Sequence, residues 1–144
     1  MYIAGEWHPC DDGVLRPVVR AEVLSSEGHW VHHEFLLDVG ADRTVLTAAA
    51  LRILELQAVN LEDGLAGIGG SSEAVGVESK IRFTDDRGGK VIVQGQFAAV
   101  RDLESLDICV LGRDVTNNFG VIVDRPGDRV CMIAQPDRYS IVRG

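Results

Sequence analysis

The sequence predicts an all-β domain on three observations: β-rich segments recur along the chain, polar turns rich in glycine and aspartate separate them, and helical features are confined to two short stretches. Val18 to Leu24 and Trp30 to Leu37 flank Ser25-Ser26-Glu27-Gly28, a connection of hairpin length. Leu36-Leu37 then runs into Asp38-Val39-Gly40-Ala41-Asp42, where the apolar pattern stops and residues that favour tight turns begin. A loop is expected there, at the end of a buried strand. From Thr47 the stretch TAAALRILEL puts Leu51, Leu54 and Ala58 at helical spacing behind a threonine able to cap, which predicts one short helix. The segment from Asp63 to Phe83 has a glycine-dense centre bordered by Val75, Val77, Ile81 and Phe83 in alternation, and reads as a long hairpin. A further hairpin turns at Asp85-Asp86-Arg87-Gly88-Gly89, and DICVLG brings another apolar strand to Gly112. Arg113 to Phe119 is expected to form the second short helix. GVIVD, a turn at Pro126-Gly127-Asp128 and RVCMIA supply a last pair of strands.

Composition narrows the class. A chain of 144 residues that is 46% hydrophobic is expected to bury one core, so one domain spanning 1–144 is predicted. The formal net charge of −8 opposes a nucleic-acid partner and an acidic membrane surface alike. No apolar run reaches the length of a membrane-spanning helix, and the start MYIAGEWHPCDDG lacks the basic and apolar regions of a secretory signal, so a cytoplasmic location is expected. Cys10, Cys109 and Cys131 follow no metal or disulfide pattern and are read as reduced thiols. His29, His32 and His33 cluster, but His32 and His33 point to opposite faces of a strand and no zinc-hydrolase pattern accompanies them. No metal and no cofactor are predicted. The run Gly64 to Gly70 could suggest a phosphate loop, yet it lacks Gly-Lys-Ser/Thr and leads into strand residues rather than a helix.

Two halves share an order of apolar strand, glycine turn and short helix: FLLDVGADRTVL and ICVLGRDVTNNF. The run Asp38-Val39-Gly40-Ala41-Asp42-Arg43-Thr44-Val45-Leu46 closely resembles the Asp-Thr/Ser-Gly-Ala-Asp-x-Thr-Val-Leu signature of the retropepsins, the aspartic proteases of retroviruses and their cellular and bacterial relatives. Gly67-Ile68-Gly69-Gly70 is similar to the family's glycine-rich flap tip, and Val110-Leu111-Gly112-Arg113-Asp114 to its Ile-Ile/Leu-Gly-Arg-Asn/Asp segment, all in family order. The first motif is highly specific, the third intermediate, and the flap motif weak by itself. The resemblance is strongest over residues 18–124, and neither 1–16 nor 136–144 matches a known segment.

The resemblance implies a closed, barrel-like acid-protease fold that works as a homodimer on a peptide or protein substrate, with Asp38 as the catalytic residue. Amide hydrolysis needs an activated water and an acid for the leaving nitrogen; two carboxylates held close share one proton and so present one base and one acid. This chain has one Asp-x-Gly in the right context, since Gly112-Arg113-Asp114 supplies the second turn without the catalytic carboxylate. The dyad is therefore expected to come from two copies of Asp38 about a two-fold axis. The loop residues Val39, Gly40, Ala41, Asp42 and Thr44 would frame it, with Thr44 bonding within the loop. Gly67, Ile68, Gly69 and Gly70 would close over an extended peptide, and Gly112, Arg113 and Asp114 would support the loop, Arg113 pairing with Asp42. Val39 departs from the pattern. The family has Thr or Ser there, whose hydroxyl braces the opposite subunit; valine keeps the shape and lacks the hydroxyl. That departure leaves open an alternative, a retropepsin-fold module that dimerises or binds peptide without cleaving it.

Overall fold

Strand β1 (Tyr2–Pro9) occupies the N-terminal stretch that carries no recognisable motif. The computed structural model describes residues 1–61, 74–102, 106–134 and 140–143. After β1, strands β2 (Leu15–Leu24) and β3 (Trp30–Leu37) form the first hairpin, in register from Val18 opposite Leu36 to Leu24 opposite Trp30. Ser25 closes it from both sides: its backbone N–H donates to the His29 carbonyl at 2.8 Å, and its hydroxyl accepts from the His29 N–H at 3.0 Å. The two-residue strand β4 (Val45–Leu46) follows the Asp38 loop, and helix α1 (Ala48–Leu54) follows β4. The Thr47 hydroxyl accepts from the Ala50 N–H at 3.1 Å, capping α1 as its position predicts. The helix stops earlier than the Ala58 spacing suggests, because Glu55 adopts a left-handed conformation with φ of 52° and its N–H folds back to the Arg52 carbonyl.

Strands β5 (Ala74–Thr84) and β6 (Lys90–Val100) pair over their whole length around the Asp85–Gly89 turn. Alternation along β5 sends Val77, Ile81 and Phe83 inward, where each is fully buried. Burial of side chains this size contributes about 1.5–3 kcal/mol apiece, which holds the hairpin against the core. Strand β7 (Cys109–Leu111) leads into helix α2 (Arg113–Thr116), and strands β8 (Gly120–Asp124) and β9 (Arg129–Ile133) follow. Helix α2 is shorter than the expected Arg113–Phe119. Asn118 and Phe119 donate instead to the carbonyls three residues back, Val115 and Thr116, the tightened closing turn of a helix that two poor helix formers, Asn117 and Asn118, terminate.

The strand order is β3-β7-β4-β6-β5-β2-β1-β9-β8, and an additional β2–β3 pairing closes the first six into a ring. Strands β1, β9 and β8 extend from β2 as a flap of sheet on one side, with Ile3 and Met132 closing that side of the core. The main core gathers Phe35, Phe83 and Phe97 with Val23, Leu46 and Leu111. A smaller apolar cluster of Val45, Ala98, Val100 and Val110 lies under the Asp38 loop, and Leu36, Ala41, Leu61 and Leu106 pack against it. Ser140–Arg143 has no regular structure, and Ile141 and Val142 are exposed. Among the described residues no helix is long and apolar enough to cross a membrane.

Candidate active site

Asp38 stands where β3 ends, between the two motif-bearing segments. Strand β3 runs parallel to β7, with Leu36 opposite Val110 and Leu37 opposite Leu111, and the Asp38 N–H extends that ladder to the Leu111 carbonyl at 3.1 Å. The loop then turns back on itself, the Ala41 N–H donating to the Asp38 carbonyl at 3.2 Å. Asp38 is half-buried. Its Oδ1 accepts from the Gly40 N–H at 2.9 Å, which orients the carboxylate and leaves Oδ2 without a protein hydrogen bond among the described residues. A Cβ at position 40 would stand 3.2 Å from Oδ1, so glycine keeps that approach open.

Helix α2 clamps the loop through backbone and side chains together. The Arg113 N–H donates to the Ala41 carbonyl at 2.8 Å and the Asp114 N–H to the Asp42 carbonyl at 3.3 Å. The Arg113 guanidinium donates to the Val39 and Gly40 carbonyls at 3.0 and 3.3 Å and pairs through Nη2 with the Asp42 carboxylate. Both side chains of that pair reach solvent, so its Coulomb energy is small; its effect lies in fixing a planar donor against three acceptors of one loop.

Thr44 departs from the expected bonding within its own loop. Fully buried, it donates its hydroxyl to Asp114 Oδ1 at 2.7 Å, and its N–H reaches the same oxygen at 2.8 Å. The same hydroxyl accepts from the Gly112 N–H at 3.0 Å. Gly112 lies so close to the backbone of Arg43 and Thr44 that any Cβ there would collide with main-chain atoms. The two glycine turns therefore interlock, and Thr44 is the joint. Sequence reasoning found the members of this joint and missed their partnership, because residues 70 positions apart give no local signal of contact.

Other expected residues stand as follows. Gly67, Ile68, Gly69 and Gly70 lie outside the described residues. The chain on either side of that segment is joined by an antiparallel bridge, Val59 N–H to the Gly76 carbonyl at 2.8 Å and Gly76 N–H to the Val59 carbonyl at 2.7 Å. Val39 is 52% exposed. His32 is exposed and His33 half-buried, on opposite faces of β3. The three cysteines are free thiols, with Cys109 buried and Cys10 and Cys131 half-buried. Among the described residues no group of three or more His, Cys, Asp or Glu side chains is placed to hold a metal.

No protein-family model matches the chain, and no curated protein matches it. Among solved structures, the chain is similar to a retropepsin-like aspartic protease from Rickettsia conorii, with a TM-score of 0.56 and 19% identity over 92% of this chain and 88% of that one. It is also similar to EIAV protease complexed with the inhibitor HBY-793, with a TM-score of 0.51 and 22% identity over 71% of this chain and 86% of that one. The closed ring of strands, the parallel β3–β7 pair beneath the Asp38 loop and these two likenesses identify the fold as that of the retropepsin-like aspartic proteases.

Proposed function

We propose that the chain is an aspartic endopeptidase that acts as a homodimer, with Asp38 of each copy supplying half of one catalytic dyad. The observation that carries this reading is the fate of the other acids at the loop. Asp114, the acid at the corresponding place in the second half, is committed to Thr44, and Asp42 is committed to Arg113. Asp38 alone of the three has no side-chain partner among the described residues, its carboxylate being held only by the Gly40 N–H. The second carboxylate must then come from another chain, and two-fold pairing of this loop brings it. Both solved structures that the chain resembles are proteases, which agrees with this reading.

In the dimer, one Asp38 carboxylate takes the proton of a water held between the pair as that water attacks the peptide carbonyl. The other carboxyl gives a proton, which passes to the leaving nitrogen as the tetrahedral intermediate collapses. The Arg113 clamp keeps each loop rigid while the charge is shared. The segment containing Gly67, Ile68, Gly69 and Gly70 serves as the flap, its glycine backbone bonding an extended peptide while Ile68 shields the cleft from water. Purified protein incubated with a mixed peptide library should cleave, and Asp38→Asn should abolish cleavage while preserving fold and dimer mass. Equal cleavage by the two proteins would refute the proposal.

Val39 favours a second reading, a peptide-binding or dimerising module without peptidase activity, because an exposed valine stands where the family has a hydroxyl. The same experiment separates the two: such a module binds library peptides and releases them intact.

A further inference from the structure

We infer that the cleft lined by Leu36, on the strand that leads into the Asp38 loop, is a substrate side-chain subsite that selects a basic residue, lysine or arginine, in the cleaved peptide; this deepens the proposed function and rests on it. The cleft has a volume of about 400 Å³ and lies between the β1–β2 connection and the segment that enters β7. Its apolar lining is Leu36, Leu106 and Ile108, each half-buried. Leu36 precedes Asp38 by two residues, so both side chains leave the extended chain on one face. Leu36 and Leu106 also rest on the small apolar cluster that carries Ala41 of the loop. The apolar lining of the cleft is thus continuous with the ground on which the candidate catalytic carboxylate stands.

The walls of the cleft are acidic, and its cations are already engaged. Arg16 grips Asp12 with two parallel hydrogen bonds of 2.8 and 2.7 Å, and that guanidinium holds the Asp12 carboxyl down to about 2. Glu34 lies 3.6 Å from both His8 Nε2 and Arg20 Nε. Asp11 and Asp107, the exposed acids of the lining apart from Asp12, have no ion-pair partner among the described residues. An apolar lining that also carries two uncompensated carboxylates fits a side chain with an aliphatic stem and a cationic head. An acidic side chain there would meet like charge, and a purely apolar one would leave the carboxylates unanswered.

The test uses peptides randomised at every position except one, which holds either lysine or norleucine; norleucine keeps the straight stem and lacks the ammonium. The fixed position is moved along both sides of the scissile bond. Cleavage by the wild-type dimer gives one readout, and equilibrium binding to Asp38→Asn, which requires no chemistry, gives the other. Lysine should exceed norleucine by roughly tenfold at one position in both readouts, the scale of two partly exposed charge contacts. The ratio should approach one in Asp11→Asn/Asp107→Asn and fall partway in each single variant, with dimer mass and circular dichroism as folding controls. Cleavage of both series without a lysine preference overturns the subsite and leaves the protease reading standing. Preferential binding without wild-type cleavage overturns the protease reading and supports basic selection. A preference that survives the double substitution in folded protein overturns the assignment to this cleft, and absence of both binding and cleavage overturns both.

Discussion

Thr44 is fully buried, and its one hydroxyl both donates to Asp114 and accepts from Gly112. A group so placed cannot trade its partners for water, so removing it strands the Gly112 N–H in an apolar setting and takes a bond from Asp114. Thr44→Val, nearly the same shape, should therefore lower stability by about 2–4 kcal/mol, whereas Thr44→Ser should recover most of the loss; denaturant titration of the three proteins checks this. A valine variant as stable as wild type would show that the interlock of the two glycine turns contributes little. Val39 presents the opposite situation, an apolar side chain facing solvent in the single chain. Paired loops would bury it beside backbone groups that a hydroxyl could serve. Val39→Thr should tighten the dimer by about tenfold or more, one regained hydrogen bond per subunit, as measured by sedimentation equilibrium. An unchanged dimer constant would remove position 39 from the interface account.

At the scale of elements, ionisable groups on the sheet set how the fold answers acid. Burial pulls the His33 imidazole below its ordinary value of 6.5, against a smaller opposing effect of its bond to the Val31 carbonyl. The unfolded chain then binds that proton more readily than the folded one, so stability falls as the pH drops below about 6.5. Glu22 acts lower on the scale. Hydrogen bonds from Arg82 at 2.8 and 3.2 Å depress its carboxyl below 4.5, so its stabilisation is complete above that value and is lost as the pH falls through the folded one. Arg82 also lies over Trp30, its guanidinium carbon 4.2 Å from the ring centroid, a contact that helps keep the fork in place. Melting curves of His33→Gln should lose the upper limb of acid sensitivity and keep the lower one. Loss of both limbs together would mean that the two groups are not independent.

The elements that were legible in the sequence are those whose turns announce themselves: Ser25–Gly28, Asp85–Gly89 and the Thr47 cap each impose local geometry through their own side chains or glycines. Strand β1 was not legible, because Tyr2–Pro9 is specified by pairing with β2 and β9 on either side rather than by its own pattern. The last turn of α2 was overestimated for a related reason, since apolar spacing through Phe119 continues after the backbone has tightened at Asn117 and Asn118. In the site, Asp38 and its loop were readable as a motif. The acidic cleft was not, because Asp11, Leu36 and Asp107 come from three distant stretches that only the strand register brings together.

For the whole molecule, the proposed function requires that Asp38 at the loop of one barrel-like domain be completed by Asp38 of a second copy. Mixing wild type with Asp38→Asn tests this directly. At fixed total chain concentration and after full subunit exchange, a one-to-one mixture contains about one quarter wild-type homodimer, half mixed dimer and one quarter mutant homodimer. If both Asp38 carboxylates are required, cleavage of the peptide library falls to about one quarter of the unmixed wild-type rate. A fall to only about one half would mean that each Asp38 works alone, and would contradict the shared dyad.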